Sequence, residues 1–206
     1  MNLYSRYIGP KFVSCLCSMK DIEAERERVV PLAQGVVLEI GIGPGLNLPF
    51  YNPGQVTKVI GVDPSRAFLN LGEVRHRASR VPLEIIRAQA EALPLGDASI
   101  DTAVVTYTLC SVQDPVQALR EVRRVLKPEG RVLFLEHGLS PEPGVARWQY
   151  RLNPIWRSLA VGCNLTRPVA ELLRQAGFRF ENVEEYYVDG APRPIGFHCR
   201  GVAKVT

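Results

Sequence analysis

The sequence predicts an α/β fold: a doubly wound mixed sheet of seven strands that closes with a C-terminal antiparallel hairpin. Three observations predict it. An apolar run, Val36–Ile40, opens directly into the glycine-rich turn Gly41-Ile42-Gly43-Pro44-Gly45, as a buried parallel strand does when it hands over to the next layer. Strand-like and helix-like runs then alternate as far as Glu136. Beyond Gly177 two β runs follow each other with only a proline-rich connection between them, which suits antiparallel pairing.

Each element has its own signal. Residues 1–34 read as a helical cap in two pieces, broken near Gly9-Pro10 and stopped by Pro31 and Gly35. After the first strand comes a short helix around Leu46–Tyr51 and a Pro53-Gly54 turn. Strand two is Lys58–Val62, a helix runs from Ser65 to Ser79, strand three is Leu83–Arg87, and strand four lies within Ala98–Tyr107. Asp114 and Pro115 cap and open a helix to Leu126, with Val116, Leu119, Val122 and Val125 on one face. Strand five is Arg131–Glu136. Pro141, Pro143 and Gly144 then read as a loop, followed by the aromatic segment Trp148–Trp156. A helix from Thr166 to Ala176 stops at Gly177, and the closing strands fall within Phe178–Val188 and Ile195–Val205.

With 206 residues and 46% hydrophobic composition, the chain suits one domain, 1–206, in which 1–34 is the cap and 138–165 an insertion on the substrate side. The formal net charge of +4 is mild, and the basic residues, Arg26 among them, are read as solvated helix faces. No nucleic-acid partner is expected. Five cysteines, an odd number, include no C-x-x-C pair, and no histidines stand at ligand spacing, so neither a disulfide framework nor a metal site is expected. The apolar run Phe12–Met19 is too short to span a bilayer and lacks a cleavage pattern. A soluble cytoplasmic protein is expected, with peripheral membrane contact through the amino-terminal helix left open.

The glycine turn and a second strand ending in Asp63 describe a nucleoside site. A carboxylate at that strand tip, twenty positions after Gly43, can accept both hydroxyls of a ribose. Leu46 occupies the position where a dinucleotide fingerprint needs its third glycine. Glu39, two residues before Gly41, can instead meet an amino-acid ammonium, which NAD lacks and S-adenosylmethionine carries. Glu39, Asp63, Ala90, Thr106 and His137 all fall at or just past strand ends on one edge of the sheet, where such folds bind ligands.

These motifs, with Ala88-Gln89-Ala90-Glu91-Ala92-Leu93-Pro94 and Leu119–Gly130, resemble the class I S-adenosylmethionine-dependent methyltransferases, whose fold is Rossmann-like. The resemblance implies that Gly41, Gly43 and Gly45 line the methionine part, that Asp63 and Pro64 hold the ribose, and that Gln89 with the Ala90 amide reads adenine. The family often has Asp where this chain has Gln89. Thr108-Leu109-Cys110-Ser111-Val112-Gln113, Glu121–Leu126, Glu136-His137 and Gly162-Cys163-Asn164-Leu165-Thr166-Arg167 are similar to the methyltransferase-like alkyl-thiol S-methyltransferases and their bacterial relatives. That similarity runs from about 36 to 176 and departs at the front, where the animal proteins carry a hydrophobic anchor.

The expected activity is methyl transfer from S-adenosylmethionine to a small hydrophobic thiol. Phosphatidylethanolamine N-methylation, quinone-type C-methylation and a non-catalytic cofactor-binding protein are the alternatives. Thr106 is placed with the cofactor residues. His137 is the candidate base or hydrogen-bond partner for the acceptor, oriented by Glu136. Tyr7, Leu109, Cys110, Trp148 and Trp156 are the candidate acceptor-pocket residues, with Cys110 and Cys163 read as small hydrophobes. His76 and His198 are read as structural or solvated.

Overall fold

A computed structural model describes residues 3–205, without the side chains of residues 5 and 6. Residues 1, 2 and 206, at the ends of the predicted cap and last strand, lie outside the described part. Seven strands form one sheet: β1 Gly35–Ile40, β2 Val56–Val62, β3 Leu83–Ile86, β4 Ile100–Thr106, β5 Leu126–His137, β6 Phe178–Tyr187 and β7 Phe197–Val205, in the order β3-β2-β1-β4-β5-β7-β6. The first five pair in parallel, whereas β7 runs antiparallel to both β5 and β6. The predicted mixed sheet is therefore present. Its strand order reverses between β1 and β4, which opens a crevice at their carboxyl ends.

Strand alternation separates two buried layers. Leu38 and Ile40 of β1, Ala103 and Val105 of β4, and Val132 and Phe134 of β5 pack on one face. Leu119 and Val122 of α5 (Pro115–Val125) and Leu173 of α7 (Val169–Gln175) cover them. Val37, Val104, Leu133 and Leu135 face the other way, beneath Val29 and Val30. This parity governs the site, because it sends Glu39 and His137 to the second face and Glu136 to the first.

The cap is divided differently from the sequence reading. A single π-helical turn, Tyr4–Ile8, leads into α1 (Gly9–Cys17), so Gly9-Pro10 begins a helix, as Pro at a first helical position allows. The break falls at Ser18-Met19, before α2 (Lys20–Val29). Ser65–Ser79 also divides, into α3 (Arg66–Leu71) and α4 (Glu73–Arg77) about Gly72. Pro143, expected in a loop, is instead the first residue of α6 (Pro143–Leu159). The connection between the last two strands holds a short α8 (Arg193–Gly196). Asp114 caps α5 as expected, its side chain accepting from the Gln117 amide at 3.0 Å.

Candidate active site

Two cavities meet at the carboxyl edge of the sheet. The larger, about 360 Å³, is lined by Glu39, Gly41, Gly43, Asp63, Gln89, Ala90 and Thr106 from the strand ends, and by Ser14 and Arg26 from the cap. The smaller, about 180 Å³, is mostly apolar and is lined by Leu16, Cys110, His137, Trp156, Cys163, Ile195 and His198, among others. Val13, Cys17, Tyr107 and Ser111 line both. The first turns of the chain thus supply the shared wall, and Tyr107 stands at the junction.

The glycine turn is shaped from beneath as well as by what lies above it. Gly41 has φ 70°, and a Cβ there would stand 2.2 Å from the Thr108 hydroxyl oxygen. Thr108 donates that hydroxyl to the Ile40 carbonyl at 3.0 Å, so turn and strand end are fastened together. Gly43 has φ 46°, and its nearest neighbour for an added Cβ is Asp63 Oδ2 at 3.6 Å; a side chain would enter the larger cavity beside that carboxylate. His76 fixes the turn from behind, its Nε2 3.1 Å from the Gly43 carbonyl oxygen.

Asp63 accepts from the Gly43 amide at 3.0 Å and from the Ser65 amide at 2.7 Å. Burial nonetheless raises its pKa, with these two bonds opposing. Glu39 is 2% exposed, and its oxygens accept from Asn47 Nδ2 at 2.9 Å and the Tyr51 hydroxyl at 2.7 Å. Burial raises its pKa from 4.5 to about 7 against the pull of Tyr51, Arg26 and Asn47, leaving an acid that a neighbouring cation would hold ionised.

Arg26 is the residue the sequence reading missed. It is 3% exposed rather than solvated, and its Nη1 donates to Asn47 Oδ1 at 2.5 Å and to Thr106 Oγ1 at 3.0 Å. Its guanidinium carbon also lies 5.0 Å from the Tyr107 ring centroid. Among the described residues, Arg26 Nε and the Tyr107 hydroxyl are buried polar atoms without a hydrogen-bond partner, and both residues line the larger cavity. Tyr107 is held at φ 51°, a conformation that costs a non-glycine residue about 1–3 kcal/mol and that marks functional turns.

In the smaller cavity His137 Nε2 lies 3.1 Å from Cys163 Sγ, and the Trp156 indole donates to the same sulfur at 3.2 Å. Burial alone would lower the His137 pKa, but Cys110 and Glu136 beside it carry it above its ordinary value. Glu136 does not orient that imidazole. It points to the opposite face of β5, where Oε1 accepts from the Thr108 and Leu109 amides at 2.6 and 2.9 Å.

Comparison with known proteins identifies the family. Residues 38–134 match the methyltransferase domain family. Over 171 residues the chain is 37% identical to thiol S-methyltransferase TMT1B of Rattus norvegicus, covering 81% of this chain and 69% of the relative. The protein is an S-adenosylmethionine-dependent methyltransferase. Over 128 residues it is also 36% identical to the ubiquinone/menaquinone biosynthesis C-methyltransferase UbiE of Hahella chejuensis, covering 59% of this chain and 51% of that one. An S-adenosylmethionine-dependent methyltransferase from Thermotoga maritima shares the fold at a TM-score of 0.70 and 22% identity, with 98% of each chain covered.

The methyltransferase places some candidate residues away from both cavities. Gly45 does not line the larger one; an added Cβ there would meet Leu48 at 2.8 Å and His76 at 3.0 Å, so its smallness serves packing. Leu109 is fully buried among core residues, because Glu136 turns its backbone inward. Trp148 is 55% exposed on the outer face of α6, while Trp156, eight residues on, reaches the smaller cavity. Tyr7 is 54% exposed; the inner face of α1 is carried by Val13, Leu16 and Cys17. His198, read as structural or solvated, lines the smaller cavity, and burial lowers its pKa to about 4, which keeps it neutral. Among the described residues no helix is long and apolar enough to cross a membrane.

Proposed function

We propose that the methyltransferase transfers the methyl group of S-adenosylmethionine to a small hydrophobic thiol held in the smaller cavity. The observation that carries this reading is the junction of a polar cavity lined by Glu39, Asp63 and Glu91 with a mostly apolar one that presents the imidazoles of His137 and His198 and the thiols of Cys110 and Cys163, with Asp21 the one acid in its lining. The 37% identity to a protein named thiol S-methyltransferase supports it.

The residues of the larger cavity fit the cofactor. Glu39 would hold the ammonium, Gly41 and Gly43 would admit the methionine part, Asp63 and Pro64 would hold the ribose, and Gln89 with the Ala90 amide would face adenine. Thr106 serves through Arg26 and Asn47, which it binds through its hydroxyl oxygen. When bound, S-adenosylmethionine supplies a sulfonium methyl group for in-line displacement.

The chain's own residues then align the acceptor and keep water out. An alkyl thiol with a pKa of roughly 8.5 is only slightly ionised near neutrality, so access to the thiolate limits the step. His137 stands in the smaller cavity as the group able to take or share that proton. The Tyr107 hydroxyl lies where the two cavities join and has no protein partner among the described residues, so it is available to either ligand.

The test is transfer of labelled methyl from S-adenosylmethionine to a panel of alkyl and aryl thiols. Single-methyl mass gain on apolar thiols is the expected result. Failure across the panel with methylation of a quinone-ring precursor would favour the second reading, to which the 36% identity with UbiE gives specific support. Transfer to phosphatidylethanolamine vesicles alone would also overturn the thiol reading.

A further inference from the structure

Cys110, His137 and Cys163 come from three separate segments: the turn after β4, the end of β5 and the loop after α6. Their ligand atoms nevertheless all lie within 4.8 Å of one another. Neither the residue numbers nor the spacing announces this. The convergence is enforced by Asn164, whose backbone amide and side-chain amide both donate to the Cys110 carbonyl, at 2.8 and 2.9 Å. Asn153 then accepts from the Leu165 amide at 2.9 Å and ties the same loop to α6. Two loops distant in sequence are thus fastened so that their thiols share one imidazole.

We propose that these three side chains form a binding site for a thiophilic closed-shell cation, Zn²⁺ being the representative ion, with its fourth position opening onto the smaller cavity. The size is right. Tetrahedral zinc, with bonds of about 2.3 Å to sulfur and 2.0–2.1 Å to nitrogen, holds its sulfur and nitrogen ligands roughly 3.6 Å apart. His137 Nε2 and Cys163 Sγ stand at 3.1 Å across the hydrogen bond that the cation would replace. That pair therefore opens by about half an ångström, while the two pairs with Cys110 Sγ start within 4.8 Å. Trp156 Nε1–H is aimed at Cys163 Sγ at 3.2 Å, the kind of outer hydrogen bond that orients a metal-bound thiolate.

Charge and access agree with this assignment. Two thiolates and a neutral imidazole make the Zn²⁺ site neutral, which suits the buried residues Cys110 and Cys163, 2% and 7% exposed. Three protein ligands with an open position describe a catalytic rather than a structural zinc site. All three line the smaller cavity, so a ligand in that cavity can complete the tetrahedron.

The chemistry deepens the proposed function and rests on it for the identity of the fourth ligand. An acceptor thiol binds through sulfur and releases its proton to water, since a coordinated thiol is deprotonated. With the ion bound, His137 is its ligand, and the cation replaces it as the group that gives access to the thiolate. A new S–CH3 bond forms as the methyl–sulfonium bond breaks, and that bond's electron pair moves to the departing sulfur. The thioether product is neutral and a weaker ligand, so it leaves; the cation changes neither charge nor oxidation state.

The experiment uses the whole chain, stripped of metal and reduced with a phosphine. Titration with Co²⁺ is expected to give sulfur-to-cobalt charge-transfer absorption and tetrahedral visible bands that saturate at one equivalent, reversed by Zn²⁺. C163A and H137N should each weaken this binding by about 100-fold or more while keeping the melting transition and S-adenosylmethionine affinity that report the fold. Should C163A fail to fold, the native chain supplies a second readout: one equivalent of Zn²⁺ should suppress alkylation of Cys110 and Cys163 but leave exposed Cys15 reactive. Absence of the charge-transfer band, unchanged affinity in a folded variant, or alkylation indifferent to Zn²⁺ would overturn the site. These signals need no acceptor, so they stand or fall apart from the thiol panel. A short alkyl thiol should then shift the cobalt spectrum, and an unshifted spectrum would overturn the fourth-ligand role.

Discussion

Arg26 on α2 holds Asn47, eight residues beyond Glu39, through a 2.5 Å bond from Nη1 to Oδ1. Asn47 in turn donates to Glu39 Oε1 and to Thr106, so one cap residue organises the acid at the end of β1 and the hydroxyl at the end of β4. The cap is thereby part of the larger cavity. Glu25 beside it pairs with Arg200 and accepts from the Tyr186 hydroxyl, which fastens the same helix to β6 and β7.

Replacing Arg26 with Met should remove two hydrogen bonds from a buried cation and leave Asn47 and Thr106 short of a donor. Loss of about 3 kcal/mol, or roughly 6–12 °C in melting temperature for a chain of this size, is expected, with weaker cofactor binding. A melting curve and calorimetric titration with S-adenosylmethionine check both; an unchanged melting temperature would show that the cap does not depend on this residue.

Asp63→Asn should act on binding more than on folding. An amide in place of the carboxylate retains one oxygen for a backbone N–H but loses the charge available to the ribose. The exchange of a charge-assisted bond for a neutral one, about 1–1.5 kcal/mol, corresponds to roughly 5- to 12-fold weaker S-adenosylmethionine binding. Calorimetry giving wild-type affinity would remove Asp63 from the site.

Two carboxyls set the pH response. Burial raises both Glu39 and Glu136 from 4.5 to about 7, so between those values the folded chain keeps protons that the unfolded chain has released. His198, whose pKa burial lowers from 6.5 to about 4, pulls the other way. Stability should therefore fall with about half the slope of two carboxyls up to about pH 6.5, more steeply to about 7, and then level off, measurable as a falling urea midpoint. Cofactor binding should release a proton below about pH 7 as an ammonium draws Glu39 into its ionised form. Calorimetry at pH 6.5 in two buffers of different ionisation enthalpy reads that release; E39Q should abolish it, while a release unaltered in E39Q would assign the proton elsewhere.

Gly41→Ala should be strongly destabilising, since its Cβ would meet Thr108 and its φ of 70° disfavours a side chain. About 2–4 kcal/mol is expected from clash and backbone together. In a double-mutant cycle Thr108→Ala should recover most of the clash, leaving a tight contact of 3.0 Å to its Cβ and roughly 1 kcal/mol of backbone cost. Strict additivity of the two changes would mean that Thr108 is not what excludes a side chain at Gly41.

The sheet and the residues that line the larger cavity at its edge were legible because their signals are local. Val36–Ile40 is apolar but for Glu39 because β1 is covered on both faces, and the turn after it carries glycines where φ is positive at Gly41 and Gly43. Asp63 ends β2 one strand away, so sequence order alone set the two acids on the same edge. Gly45 and Leu109 show where local reading misleads: both stand within motifs, but one packs on His76 and the other enters the core.

The sequence by itself determined the alternation of strands and helices, the mixed sheet, and the glycine and carboxylate positions that mark a methyltransferase. Periodicity along a few neighbouring residues is enough to state which face of a strand is buried and where it ends. Tertiary structure alone decided that Arg26 is buried, that Val13 and Cys17 of α1 rather than Tyr7 of the turn before it line the cavities, and that Trp156 rather than Trp148 meets the smaller cavity. It also brought Cys110, His137 and Cys163 within 4.8 Å. Such contacts depend on how the cap and the α6 loop dock against the sheet edge. Docking follows shape and hydrogen bonds between segments far apart in the chain, which no local pattern records.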